Sequence, residues 1–158
     1  MIKVLFVCHG NICRSPMAEF VMKKLVKEEG LQDYFYIESA ATSSEEIWNG
    51  KGNPVYPPAR RKLSEHGISC SGKEARQTDR ADYKRFDYLI GMDAANIRNM
   101  ARIYGGDPEG KISMLLSHAG ISRDVADPWY TGDFESTWQD VMTGCTALLE
   151  ELKEKCYD

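Results

Sequence analysis

Apolar residues along this chain alternate between short continuous runs and helical stripes. Residues 2–7 form a short apolar run, which predicts a strand buried on both faces. Ser15-Pro16 then opens a helix with proline tolerated in its first turn; the helix extends to about Glu29 and stops at Gly30. A second strand is predicted over 34–39, followed by a loop over 40–58 rich in Ser, Gly, Asn and Pro. A short helix over 59–66 closes at Gly67, and one or two helical turns follow over 80–86. Residues 88–91 read as a third strand, and Asp93 caps a helix reaching about Tyr104. Residues 112–116 read as a fourth strand, 117–133 as a long loop, and 134–156 as a final helix. In that helix Phe134, Trp138, Val141, Met142, Cys145, Leu148, Leu149 and Leu152 share one face. This alternation predicts an α/β fold: a single domain over 1–158, with a four-stranded parallel sheet carrying helices on both faces.

Ligands of such sheets bind beyond the carboxyl ends of the strands, where the turn over 8–15 lies. It reads Cys8-His9-Gly10-Asn11-Ile12-Cys13-Arg14-Ser15. A tight loop between a buried strand and a helix turns successive backbone N–H groups inward as a nest for an anion, and the helix N-terminus adds partial positive charge. Gly10 and Asn11 tolerate left-handed backbone, and Arg14 supplies a bidentate fork for two phosphate oxygens. The same field favours the thiolate form of Cys8, the form that attacks phosphorus, and Ser15 is placed to donate a hydrogen bond to it.

The spacing of a cysteine and an arginine is weak on its own, because Cys70 to Arg76 repeats it. That second copy follows no apolar strand and starts no clear helix, so context separates the two. Asp127-Pro128-Trp129-Tyr130 adds a second piece in the long loop. An aspartic acid there can protonate a leaving oxygen and then activate water, although Asp-Pro is also an ordinary turn starter.

Composition narrows the classes. A length of 158 residues with 42% hydrophobic and 28% charged residues suits one globular domain. A net charge of −4 argues against nucleic acid as a partner. The first apolar run is too short for a signal core or a membrane span, so a cytoplasmic protein without a membrane partner is expected. Five cysteines, an odd number, argue against a disulfide framework. Cys8 and Cys13 lack a second ligand pair, and His66 and His118 stand alone, so no metal and no cofactor are expected.

The run from Val7 to Pro16 resembles the signature loop of the low-molecular-weight protein tyrosine phosphatases, and Asp127-Pro128 resembles their general-acid loop. Glu38-Ser39-Ala40-Ala41-Thr42, Ser64-Glu65-His66-Gly67-Ile68 and Met92-Asp93 extend the similarity along the whole chain. The resemblance implies a Rossmann-like sheet and a monomeric enzyme that hydrolyses phosphotyrosine in proteins. It makes Cys8 the nucleophile, Arg14 the phosphoryl ligand and Asp127 the acid and then the base. Ser15 steadies the thiolate, while Ser39 and His66 bond to Asn11 from behind. His9, Gly10, Ile12 and Cys13 complete the substrate loop, and Cys13 corresponds to a cysteine that can pair with Cys8 under oxidation. Trp129 and Tyr130 are implied on one wall of an aromatic cleft and Trp48 on the other. Arsenate reductases share the loop but add redox cysteines, absent here over 78–92. Relatives that cleave phosphoarginine tend to carry Thr where Ile12 stands. A non-catalytic phosphopeptide-binding module would need neither Cys8 nor Asp127.

Overall fold

The computed structural model describes residues 1–157. Its main sheet has four parallel strands, with residues 35–41, 2–8, 88–91 and 112–114 side by side in that order. These are β1 (Ile2–Cys8), β2 (Phe35–Ala41), β5 (Tyr88–Gly91) and β6 (Ile112–Met114). A two-stranded hairpin, β3 (Ile47–Trp48) and β4 (Lys51–Gly52), lies outside it. The helices are α1 (Arg14–Glu28), α2 (Pro57–Glu65), α3 (Asp82–Arg85), α4 (Ala94–Tyr104), α5 (Pro128–Thr131) and α6 (Phe134–Lys153).

β1 is central and apolar because both of its faces are covered. Val4 to Val7 are fully buried, which stabilises the fold by roughly 1.5–3 kcal/mol for each large side chain. Their alternation sorts them between two cores. Val4, Phe6 and Cys8 belong to the core shared with α1, α2 and α6, while Leu5 and Val7 pack with Tyr83 of α3, Phe86 just beyond it, and Met100 and Tyr104 of α4. The chain leaves β1 for β2 on one side and later returns to β5 on the other. Cys8, the last residue of β1, therefore stands at the point where the strand order reverses, the customary ligand position of an open parallel sheet.

The departures from the expected elements are local. The loop over 40–58 contains the β3–β4 hairpin, whose turn residues Asn49 and Gly50 both have positive φ (51° and 74°), the geometry that Asn-Gly favours. β6 stops at Met114 because a 3-10 turn (Leu115–Ala119) begins there. The long loop holds the short α5, and α6 ends at Lys153 with a 3-10 turn (Glu154–Tyr157) beyond it. Among the described residues no helix is long and apolar enough to cross a membrane.

α6 crosses the 3-10 turn through a glycine. A Cβ on Gly144 would overlap the Cγ branch point of Leu115, which is fully buried and cannot swing away. Gly144→Ala should therefore lower stability by about 1–3 kcal/mol, the range for overpacking, despite a gain of about 1 kcal/mol in helix propensity. A urea midpoint at or above that of the parent would show that the contact relaxes instead.

Candidate active site

The loop over 8–15 wraps around the sulfur of Cys8. Asn11 takes the left-handed conformation (φ 61°) that this turn requires, and its backbone N–H points at Cys8 Sγ from 3.3 Å. Ser15 Oγ lies 3.0 Å from the same sulfur. Among the described residues no side chain caps α1, so the first-turn N–H groups of that helix are natural partners for an anion. Backbone bonds pin the loop from outside: Thr42 and Ser43 donate to the carbonyls of Cys8 and His9, and Tyr56 donates to that of Ile12.

Arg14 is 4% exposed and fixed on three sides. Nη2 donates to Asp93 Oδ2 at 2.9 Å and lies 3.3 Å from Asp127 Oδ2, and Nη1 donates to the carbonyl of Val125 at 3.2 Å. Burial disfavours its charge, but Cys8, Asp127 and Asp93 outweigh that and hold the guanidinium protonated. Asp127 caps α5, accepting from the Trp129 N–H at 3.0 Å. Its loop is tied to α6 by Asp140, which takes a bidentate pair from Arg123 (2.7 and 2.8 Å) and a bond from the Ala126 N–H. The acid loop and the cysteine loop, more than a hundred residues apart in sequence, thus meet over one cleft of about 470 Å³.

Cys8, His9, Gly10, Ile12, Cys13, Arg14, Asp127, Trp129 and Tyr130 all line this cleft. Trp129 and Tyr130 are exposed at its rim, and Tyr56 packs on the Trp129 ring with centroids 5.2 Å apart. Cys13 is buried and free, and burial with Cys8 nearby pushes its thiol up to about 12, so at neutral pH it carries no charge to compete as nucleophile.

Two expected positions need correction. Trp48 is not the opposite aromatic wall. It stands 79% exposed on the β3–β4 hairpin, and the segment instead lines the cleft with Glu45 and Glu46, Glu45 pairing with His9 at 2.9 Å. His66 does not support Asn11. As the last residue of α2's C-terminal cap it stacks flat on Trp138, with centroids 3.8 Å apart and planes 7° from parallel. Behind Asn11 stand Ser39, which accepts from Asn11 Nδ2 at 3.0 Å, then Glu19 and Lys73. Lys73 lies between Cys70 and Arg76, inside the second copy of the cysteine-to-arginine spacing; burial lowers the pKa of its ammonium, and Glu19 opposes that shift.

Asp93, Glu19 and Lys73 escape a reading of the sequence for different reasons. Asp93 reads as a helix cap, which it also is: it accepts from the Asn96 N–H at 2.7 Å. Its place at the carboxyl end of β5, the sheet edge that singles out Cys8, is the signal that marks its second role. Glu19 and Lys73 carry no local signal, because their partners are distant in sequence.

The whole chain is similar to known proteins. A family model for low molecular weight phosphotyrosine protein phosphatase matches residues 3–157. The low molecular weight protein-tyrosine-phosphatase YfkJ of Bacillus subtilis is 41% identical over 157 residues, covering 98% of both chains. Its crystal structure superposes with a TM-score of 0.92 at 40% identity, covering 98% of this chain and 96% of that one. A low molecular weight protein tyrosine phosphatase from Streptococcus pyogenes gives a TM-score of 0.86 at 42% identity, over 99% and 97% of the two chains. The rat low molecular weight phosphotyrosine protein phosphatase is 40% identical over 153 residues, 94% of each chain. A match over residues 3–157, and relatives about 40% identical over nearly their full length, have one reading: the chain belongs to the low molecular weight phosphotyrosine protein phosphatases.

Proposed function

We propose that this protein hydrolyses phosphotyrosine in proteins through a phosphocysteine intermediate. The observation that carries the reading is the convergence on one cleft of a buried sulfur ringed by N–H and O–H donors, a buried arginine and a loop aspartate 3.3 Å from that arginine. The loop N–H groups and Arg14 bind the phosphoryl oxygens and stabilise the charge that spreads over them in the transition state. Cys8 Sγ attacks phosphorus as the bond to the phenolic oxygen breaks. Protonated Asp127 gives its proton to that oxygen, and tyrosine leaves. Asp127, now a carboxylate, takes a proton from water, whose oxygen attacks the phosphocysteine and releases inorganic phosphate, regenerating the thiolate.

Depth supports a phenyl ester. Cys8 is 4% exposed while Trp129 and Tyr130 stand at the rim, so a flat ring spans the distance that a serine phosphate does not. Ile12 lines the cleft and offers an apolar contact suited to a ring rather than to a guanidinium. Phosphotyrosine peptides should be hydrolysed about tenfold or more faster than phosphoarginine, the range that an apolar contact discriminates. Steady-state rates on the two substrates check this; the reverse ranking would reassign the enzyme to phosphoarginine. All five cysteines are free thiols, which suits a reducing compartment and supports a cytoplasmic site of action.

A further inference from the structure

Residues 123–126 lead straight into Asp127, and their polar groups are fastened from several sides. Val125 is buried and donates its N–H to the carbonyl of Met92, just beyond β5, at 2.8 Å. Asp124 Oδ1 accepts from the N–H of Ala94, the first residue of α4, at 3.0 Å. Ala126 is held at both of its backbone polar groups by α6. Its N–H donates to Asp140 Oδ2 at 3.0 Å, and its carbonyl accepts from Thr137 Oγ1 at 2.8 Å. That carbonyl belongs to the peptide bond joining Ala126 to Asp127. Thr137 and Asp140 are three residues apart and so share a face of α6. Both are buried, and α6 is set into the core beside them by Val141, Cys145, Leu148 and Leu152. Arg123 forks onto both Asp140 oxygens and also donates to the carbonyl of Asp124 at 3.0 Å. The hydrogen bonds from Arg123 hold the Asp140 carboxyl below its ordinary pKa against the opposing effect of burial, so it stays an acceptor.

Asp127 loses a partner when it works. Among the described residues its carboxyl has two polar partners, the Trp129 N–H at 3.0 Å and Arg14 Nη2 at 3.3 Å. A phosphoryl group that takes the Arg14 fork, and a proton on the acid, weaken the second of these. The backbone in front of Asp127 then places the carboxyl beside the leaving oxygen. Proton transfer asks for heavy atoms about 2.6–3.2 Å apart, and a displacement on the order of 1 Å is enough to cost a hundredfold.

We infer that Thr137 and Asp140 of α6 are positioning residues for the general acid: by holding both backbone polar groups of Ala126 they set the Asp127 carboxyl against the oxygen of the leaving tyrosine. This role rests on the phosphatase reading and extends it from the acid to the helix that aims it. The nucleophile and the phosphate site are independent of it. Val125 keeps its own bond to Met92, and so keeps its carbonyl against Arg14 Nη1.

Thr137→Val and Asp140→Ala, singly and together, are to be assayed on phosphotyrosine and on an aryl phosphate of an acidic phenol, whose leaving oxygen needs no proton. Valine keeps the shape of threonine. Arg123 is half-exposed and stays solvated when Asp140 is gone, so no buried charge is left unpaired. In the paired variant kcat/KM on phosphotyrosine should fall about 10–100-fold. On the acidic phenol it should change by less than about threefold, because that ester does without the acid. Cys8 should alkylate with iodoacetate at the parent's rate. Asp140→Asn, which keeps an oxygen for the Ala126 N–H, should recover most of the phosphotyrosine rate that Asp140→Ala loses. In an Asp127→Ala background the paired change should add nothing, since no acid is left to aim. Equal losses on the two esters, the parent rate on phosphotyrosine in a folded paired variant, or a loss that adds in full to that of Asp127→Ala overturns the inference. Should the paired variant fail to fold, Thr137→Val alone carries the test: the same split between the esters is expected at smaller size, and no split overturns the inference. A parent that hydrolyses neither ester would instead overturn the proposed function, and this inference with it.

Discussion

Replacing Cys8 by serine should stop turnover while leaving phosphate binding in place. The two side chains fill nearly the same space, so the loop keeps its N–H groups, Asn11 keeps its turn and Arg14 keeps its bonds to Asp93 and Val125. What changes is the nucleophile. A serine hydroxyl is a weak nucleophile unless a base removes its proton. Among the described residues its only side-chain hydrogen-bond partner is another hydroxyl, Ser15 at the position now 3.0 Å from the sulfur. A fall of roughly 10⁴–10⁶ in kcat is expected, the scale of removing a nucleophile while binding groups stay. Isothermal titration with inorganic phosphate should show affinity equal to or tighter than the parent's, because a neutral hydroxyl repels the anion less than a thiolate does. Turnover within tenfold of the parent would remove Cys8 from the nucleophile's role.

Asp127→Ala should give the second large effect, with a distinct signature. Asp127 is about 30% exposed, so its loss costs the fold little beyond the cap of the four-residue α5. Without an acid the leaving oxygen departs as an anion. The rate on phosphotyrosine should fall by about 10²–10⁴, while an aryl phosphate with an acidic phenol should lose far less. KM should stay level or drop, since Arg14 is relieved of one of its two carboxylate partners and is freer to take phosphate. An equal loss on both leaving groups would point to a binding role for Asp127 instead.

How much of this was legible in the sequence depends on how local each feature is. The loop over 8–15 is one strand end joined to one helix start, so its chemistry and its neighbours are written within a few residues. Asp127 is local as a turn starter, and the order of strands places its loop at the same sheet edge. Trp48 fails because the Asn49-Gly50 turn folds its segment into a hairpin and carries the indole out to solvent. The support behind Asn11 fails for a different reason. It is a meeting of α1, β2 and the segment around Lys73, and nothing in the spacing of Glu19, Ser39 and Lys73 records that they touch. His66, a plausible candidate by resemblance, is occupied by Trp138.

A covalent bond between Cys8 and phosphorus can be seen directly. Asp127→Ala, mixed with an aryl phosphate whose phenol is acidic and quenched in acid within milliseconds, should accumulate the intermediate, because the base that activates water is gone. Mass spectrometry of the digest should then find one phosphoryl group on the peptide containing Cys8. A digest in which that peptide is unmodified while another residue carries the phosphoryl group, or in which turnover proceeds with no phosphoenzyme at any quench time, would contradict the account.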